Sequence, residues 1–315
     1  MDDIINKKQK KIVSWVGMLL IAVSLVFIVR RFMEAEIDFS ILASPWVVAG
    51  LVAATLATSF IVMVTSMNYR SWLYNISGMA VPRPAVLEVY CSANLYKYIP
   101  SGILTVLGRN RLAVEFEELS HGKVAVSTLL EGTFFVIAAV IISMVYSFDH
   151  AISELRQIDA VPIILAVVAG IVASIALAVY LMRHRIKKLF EMPDGMSALK
   201  PLVLAKRMVA ALAIATMWGI MFLLVLAIMG QPVTLSIALA VIGLLNLSWL
   251  VGFFVPVAPA GFGVREAAIL IFFGGVVNDS YLLLALMAHR VVSVIGDVIA
   301  YCIAISYRHF SSPAH

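Results

Sequence analysis

The sequence predicts an all-α, polytopic membrane helix bundle of about eight membrane elements, two of them broken, re-entrant hairpins in an inverted repeat. Three observations carry this expectation. The 315 residues are 63% hydrophobic and 13% charged, with mean hydropathy +1.03, whereas a soluble domain carries about a quarter charged residues. The apolar residues come in runs long enough to cross a bilayer, which takes about 20 residues. Two further apolar regions are interrupted in the middle by Pro-x-Gly.

The runs fall at 13–33, 45–67, 123–147, 160–182, 208–229 and 280–306. The first follows MDDIINKKQKK and stops at Arg30-Arg31 without a small-residue cleavage site, so it reads as a retained helix rather than a signal peptide. The interrupted regions are 85–112, with "YCSANLYKYIPSGILTVLGRNRL", and 233–277, with "FFVPVAPAGFGVREAAIL". Irregular backbone at membrane depth persists only where protein or a wet cavity satisfies its polar groups.

Loop charge sets orientation. Lys7, Lys8, Lys10 and Lys11 precede the first run, and Arg183, Arg185, Lys187, Lys188, Lys200, Lys206 and Arg207 lie between 182 and 208. Such clusters belong in the cytoplasm. The 230–233 and 278–280 turns carry no Lys or Arg, and the 148–159 loop carries only Arg156, so these face outward. With both termini cytoplasmic, 85–112 must enter and leave on the cytoplasmic side and 233–277 on the outer side. The net charge of +5 thus reflects membrane orientation, and no nucleic-acid partner is expected.

The chain then reads helix, helix, hairpin, helix, twice, as one transmembrane domain with inverted repeats at 12–150 and 158–308. Pro100-Ser101-Gly102 matches Pro259-Ala260-Gly261. Thirty-one residues after each proline stands a charge in an apolar helix, Glu131 in one half and Arg290 in the other. Broken elements of inverted repeats commonly frame a transporter's site.

Charges within apolar segments supply the candidate binding residues: Lys97, Arg109, Glu131, Arg265, Glu266, Arg290 and Asp297. Each costs at least about 2.5–3.5 kcal/mol at a helix centre, so it faces the bundle interior or water and pairs. Arginine's planar fork suits phosphate. The substrate-binding set is Arg265, Glu266, Arg290, Glu131 and Arg109, with the backbone breaks at Pro100, Gly102, Pro259, Gly261 and Gly263. After Gly263 a helix restarts with Arg265 in its first turn, and its amides would face an anion. The plainer reading of the same charges is structural: Glu131–Arg290 or Glu266–Arg290 as a buried pair, with Lys97 and Arg109 snorkelling to the cytoplasmic face. His289 reads as a polar lining residue.

The stretch 109–123 places Leu112, Phe116 and Leu119 near one face, as a short interfacial helix or a connecting loop. Trp15, Trp46, Trp72, Tyr69, Tyr74 and Tyr96 read as interface anchors. Cys91 and Cys302 lie in apolar sequence with no metal-ligand spacing, so no disulfide framework, metal site or cofactor is expected. No HExxH, GxSxG or P-loop pattern occurs. The acids of "EAEID", Glu36 and Asp38, leave one enzymatic alternative, since multi-spanning transferases of lipid-phosphosugars hold a metal with such a pair in their first outer loop.

"PVAPAGFGVREAAI" resembles the P-x-x-GG-x-G-x-R-E-A segment of the lysylphosphatidylglycerol synthase transmembrane region family (flippase-like domain, UPF0104 type). "YIPSGILTVLGRNRLAVEFEELSHGKVAVSTLLEG" is similar to that family's first-half pattern, and "ALMAHRVVSVIGD" to its last helix. Ala260 stands where the family has a second glycine, and Glu131 is followed by Gly132 rather than an arginine. The family's bifunctional members continue into a soluble synthase domain, which this sequence lacks. The resemblance therefore implies the lipid-translocating module alone.

The expected function is translocation of an anionic, aminoacylated or glycosylated phospholipid across the inner (plasma) membrane, without enzymatic activity. Expected partners are a phospholipid or lipid-linked glycan and envelope-biosynthesis enzymes. The alternatives are a secondary transporter of a small anionic solute, the transferase above, and a non-catalytic scaffold for an envelope enzyme.

Overall fold

A computed structural model describes residues 26, 29, 30, 33, 39–99, 104–157, 200–253 and 263–311. The expected spans at 13–33 and 160–182 fall largely or wholly outside these residues. So do Glu36, Asp38 and the breaks at Pro100, Gly102, Pro259 and Gly261. The described residues are helical and contain no strand.

The long helices are α1 (Pro45–Ser77), α5 (His121–Gln157), α6 (Pro201–Ile228), α7 (Leu235–Phe253) and α9 (Asp279–Ser311). Each contains a stretch long and apolar enough to cross a bilayer, which makes this a membrane-embedded bundle. Between them lie α2 (Arg83–Leu95), α3 (Leu104–Arg109), α4 (Arg111–Glu115) and α8 (Val264–Phe272), with 3₁₀ turns at Phe39–Ala43 and Tyr96–Tyr98.

Local sequence accounts for the ends. Pro45 and Pro201 open α1 and α6 at positions where a missing N–H costs nothing. Gly78 closes α1 in the left-handed region at φ 72°, its N–H donating to the Tyr74 carbonyl. Within α1 the hydroxyls of Thr55, Thr58, Ser59, Thr65, Ser71 and Ser77 donate to carbonyls four residues back. This satisfies polar groups that an apolar environment leaves no other way to satisfy.

Both interrupted regions break, but differently from a pair of equal hairpins. In the first, α2 ends in the Tyr96–Tyr98 turn and the chain returns as the six-residue α3 against α2. In the second, α7 is 19 residues, about 28 Å long, and therefore sufficient by itself to span the apolar layer. The shorter α8 then packs back along it.

The halves interlock. The first half's α5 packs along the second half's α7, and the second half's α9 packs along the first half's α2. In the same reciprocal manner α1 contacts α9 and α5 contacts α6, while α1 and α6 meet each other. The main core joins α1, α6, α7, α8 and α9 around Phe222, Leu226, Leu244, Phe273 and Leu283. Phe222 meets Phe273 edge-on at 5.7 Å. Gly296 of α9 lets that helix approach α1 closely: a Cβ there would lie 2.7 Å from Thr58 Cγ2. Ser59 Oγ donates to the Gly296 carbonyl at 2.8 Å across the same contact. The outward faces are also apolar, including Leu56 and Phe60 on α1, Val145 on α5 and Val291 on α9.

A second core binds α4 and its flanks. Leu112 and Leu119 are fully buried with Tyr69, Leu73 and Val86, and Phe116 packs against them. Two expected interface anchors are instead core residues. Trp72 is fully buried with its ring 4.9 Å from that of Phe134, and Tyr69 is fully buried too. Trp46 and Tyr74 are exposed. Trp72 and Tyr69 lie on the side of α1 turned toward α2 and α5, and aromatic identity alone does not reveal which side faces lipid.

Candidate functional site

The intramembrane charges sort into two clusters. The first is sealed. Arg109, at the end of α3, donates to Glu131 Oε2 of α5 at 2.5 Å. The guanidinium also lies over two tyrosine rings, 4.6 Å from the Tyr69 centroid and 4.3 Å from that of Tyr90. Tyr90 Oη stands 3.5 Å from Glu131 Oε1, and Tyr69 Oη 3.1 Å from Thr128 Oγ1. Glu131 is 2% exposed. This corrects two expectations. Arg109 does not snorkel, because an anion and two π faces hold it inside, and Glu131 meets Arg109 rather than Arg290. The pair is thus engaged with protein groups on most sides, while Arg109 Nε is buried without a hydrogen-bond partner among the described residues.

The second cluster lies where the end of α2 and the Tyr96–Tyr98 turn meet α9, with Glu266 of α8 beside Arg290. Asp297 of α9 is 1% exposed. It accepts from Asn94 Nδ2 at 2.8 Å and from the Tyr98 hydroxyl at 2.5 Å, and it pairs with Lys97 Nζ at 2.6 Å. One turn and more toward the start of α9, Arg290 pairs with Glu266 of α8. The other oxygen of that carboxylate, Oε2, accepts the Gly263 N–H at 2.7 Å. Gly263 adopts φ 83° and ψ −56°, a positive-φ conformation that side-chain-bearing residues rarely adopt.

Arg265 is in electrostatic range of Arg290, Glu266 and Tyr98. Its Nε is buried with no hydrogen-bond partner among the described residues. The same holds for His289 Nε2 and Ser293 Oγ. His289 is 6% exposed, stands edge-on to Phe222 at 5.2 Å, and is in electrostatic range of Arg265, Arg290 and Lys97. The cluster is not closed off: the side chains of Lys97, Arg290 and Glu266 are 31%, 24% and 13% exposed. Among the described residues three cations, Lys97, Arg265 and Arg290, face two carboxylates, Asp297 and Glu266, leaving one positive charge in excess.

Of the sequence-derived candidates, the structure thus brings Arg265, Glu266, Arg290 and Gly263 together and sets Arg109 and Glu131 apart. At the start of α8 the N–H of the capping residue Gly263 is engaged by Glu266. Asn94 and Tyr98 were not anticipated as site residues. Their signal is the spacing of Asn94, Lys97 and Tyr98 at i, i+3 and i+4 just before a proline, which puts three polar groups on one helical face. Arg290, Ser293 and Asp297 form a matching stripe on α9. Among the described residues no group of three or more His, Cys, Asp or Glu stands together as a metal site would require.

The end of α9 carries a separate surface network. Arg308 reaches Glu88 Oε2 of α2 at 2.7 Å and pairs with Glu115 of α4, while Arg111 lies 3.4 Å from Glu88.

Comparison of the chain with protein-family models and with curated proteins finds no match in either.

Proposed function

We propose that the protein translocates a lipid headgroup between leaflets of the inner membrane, as a member of the flippase-like family its motifs resemble. The observation that carries this reading is the half-buried cluster of Lys97, Arg265 and Arg290, with one cation in excess, inside an otherwise apolar bundle. Ionisable groups at membrane depth mark substrate paths, and guanidinium forks suit phosphate. The headgroup of an anionic, aminoacylated or glycosylated phospholipid, or a lipid-linked glycan, would sit in this cluster while its acyl chains stay among the apolar outer faces. The two broken elements, each packed on the last helix of the opposite half or on its partner arm, act as re-entrant gates of an inverted repeat. Both termini lie in the cytoplasm in this scheme, so cysteines placed at the 230–233 and 278–280 turns react with impermeant maleimide from outside.

Reconstitution tests the reading. Vesicles containing the full chain and headgroup-labelled lipids of several classes should lose outer-leaflet asymmetry faster than empty vesicles. Equal rates for every class would remove it. A transporter of a small anionic solute would instead accumulate a soluble anion and leave labelled lipid in place.

A further inference from the structure

The Glu266 carboxylate occupies the position of a ligand. One oxygen meets Arg290 and the other accepts the Gly263 N–H at 2.7 Å, at the start of α8. An arginine fork together with a backbone N–H at a helix start is the donor set that a phosphate oxygen pair takes. Around it the polar groups are not exhausted: Arg265 Nε and the deeply buried His289 Nε2 have no hydrogen-bond partner among the described residues. These two buried donors or acceptors make the place more than a helix start, and the cation excess makes it a place for an anion.

We propose that Glu266 is a built-in counter-anion: it holds Arg290 and the Gly263 amide while the site is empty and cedes both to a phosphate group, which Arg265 then completes. The inference rests on the reading of this cluster as the substrate site. It adds that the ligand is phosphate-bearing and must displace a carboxylate, so binding frees Glu266 to swing off α9 and couples occupancy to the α8–α9 contact.

A carboxylate that merely braced the helix, or that contacted a ligand amine, would be needed for binding. A competing carboxylate has the opposite sign. The purified full chain in an uncharged detergent is titrated calorimetrically with inorganic phosphate and, in a second arm, with short-chain phosphatidylglycerol. Glu266→Gln retains an acceptor for the Gly263 N–H but loses the charge, and should bind about tenfold more tightly than the native chain. Arg265→Gln should bind at least about tenfold more weakly. Should Glu266→Gln fail to fold, Glu266→Asp, one methylene too short to reach both donors at once, should shift affinity in the same direction.

Tightening toward both probes assigns a general phosphate site, and tightening toward the lipid alone assigns a lipid headgroup. Unchanged or weaker binding by the Glu266 variants, or no binding of either probe by any variant, overturns the proposal. If Glu266→Gln binds more tightly but vesicles with the native chain show no lipid movement, the translocation reading fails and the phosphate site stands.

Discussion

Asp297 of α9 and Tyr98, in the turn that ends α2, meet through a 2.5 Å hydrogen bond that spans 199 positions of sequence. With Asn94 and Lys97 on the same carboxylate, the bond fixes the end of α2 against the helix that carries Arg290. Tyr98→Phe keeps the ring and removes one charge-assisted bond. It should lower stability in detergent by about 1.5–3 kcal/mol, read as a lowered midpoint of chemical unfolding. Asp297→Asn should cost at least as much, since Lys97 then loses its partner as well.

The sealed pair behaves differently. Removing one partner of Arg109–Glu131 strands a charge among tyrosines, and Glu131→Gln should cost about 3–5 kcal/mol. Replacing both residues, as Arg109→Met with Glu131→Gln, should cost less than the sum of the single changes. A double-mutant cycle on unfolding midpoints checks this, and strict additivity would contradict the pairing.

The Arg265 and Arg290 side chains should matter to transport, and Arg308 should not. In vesicles that scramble labelled lipid, Arg265→Gln and Arg290→Gln should each slow the rate by about tenfold or more, the loss of one charged hydrogen bond to substrate. Arg308→Gln disturbs only the network with Glu88 and Glu115 at the end of α9, where exposed pairs contribute about 0–1 kcal/mol. Its rate should match the native one.

At Gly296 a methyl group would press on Thr58 Cγ2 and Cβ, 2.7 and 2.8 Å away. Gly296→Ala should therefore destabilise by about 1–3 kcal/mol through overpacking, whereas alanine at Gly132, where the added Cβ meets nothing within 4 Å, should be neutral or slightly stabilising. Thermal unfolding of the two variants side by side distinguishes them.

Four spans were legible because bilayer thickness demands long apolar runs: α1, α5, α6 and α9 cover the runs at 45–67, 123–147, 208–229 and 280–306, whereas α7 lies inside the 233–277 region expected to turn back within the membrane. The helices outrun those stretches at some ends: α5 also ends ten residues late and α6 starts seven early, and α1 runs ten residues on because Tyr69, Trp72 and Leu73 bury against α2 and α5. Candidate residues stood out in the sequence by charge, as at Arg265, Glu266 and Arg290, and the structure brings these together. Partner choice was not. Whether Glu131 reaches Arg109 or Arg290 depends on how α3 returns against α5, and spacing along the chain carries no information about that. Asn94 and Tyr98 escaped notice because an uncharged polar residue is common in membrane helices and acquires meaning only beside Asp297.

The two ion pairs exchange their signs: a short helix carries the arginine and a long helix the glutamate at 109 and 131, while a short helix carries the glutamate and a long helix the arginine at 266 and 290. The side-chain exposures differ as well, 11% and 3% in the first pair against 24% and 13% in the second. Water and small ions therefore screen the second pair more than the first, so added salt should loosen Glu266–Arg290 before it touches Arg109–Glu131.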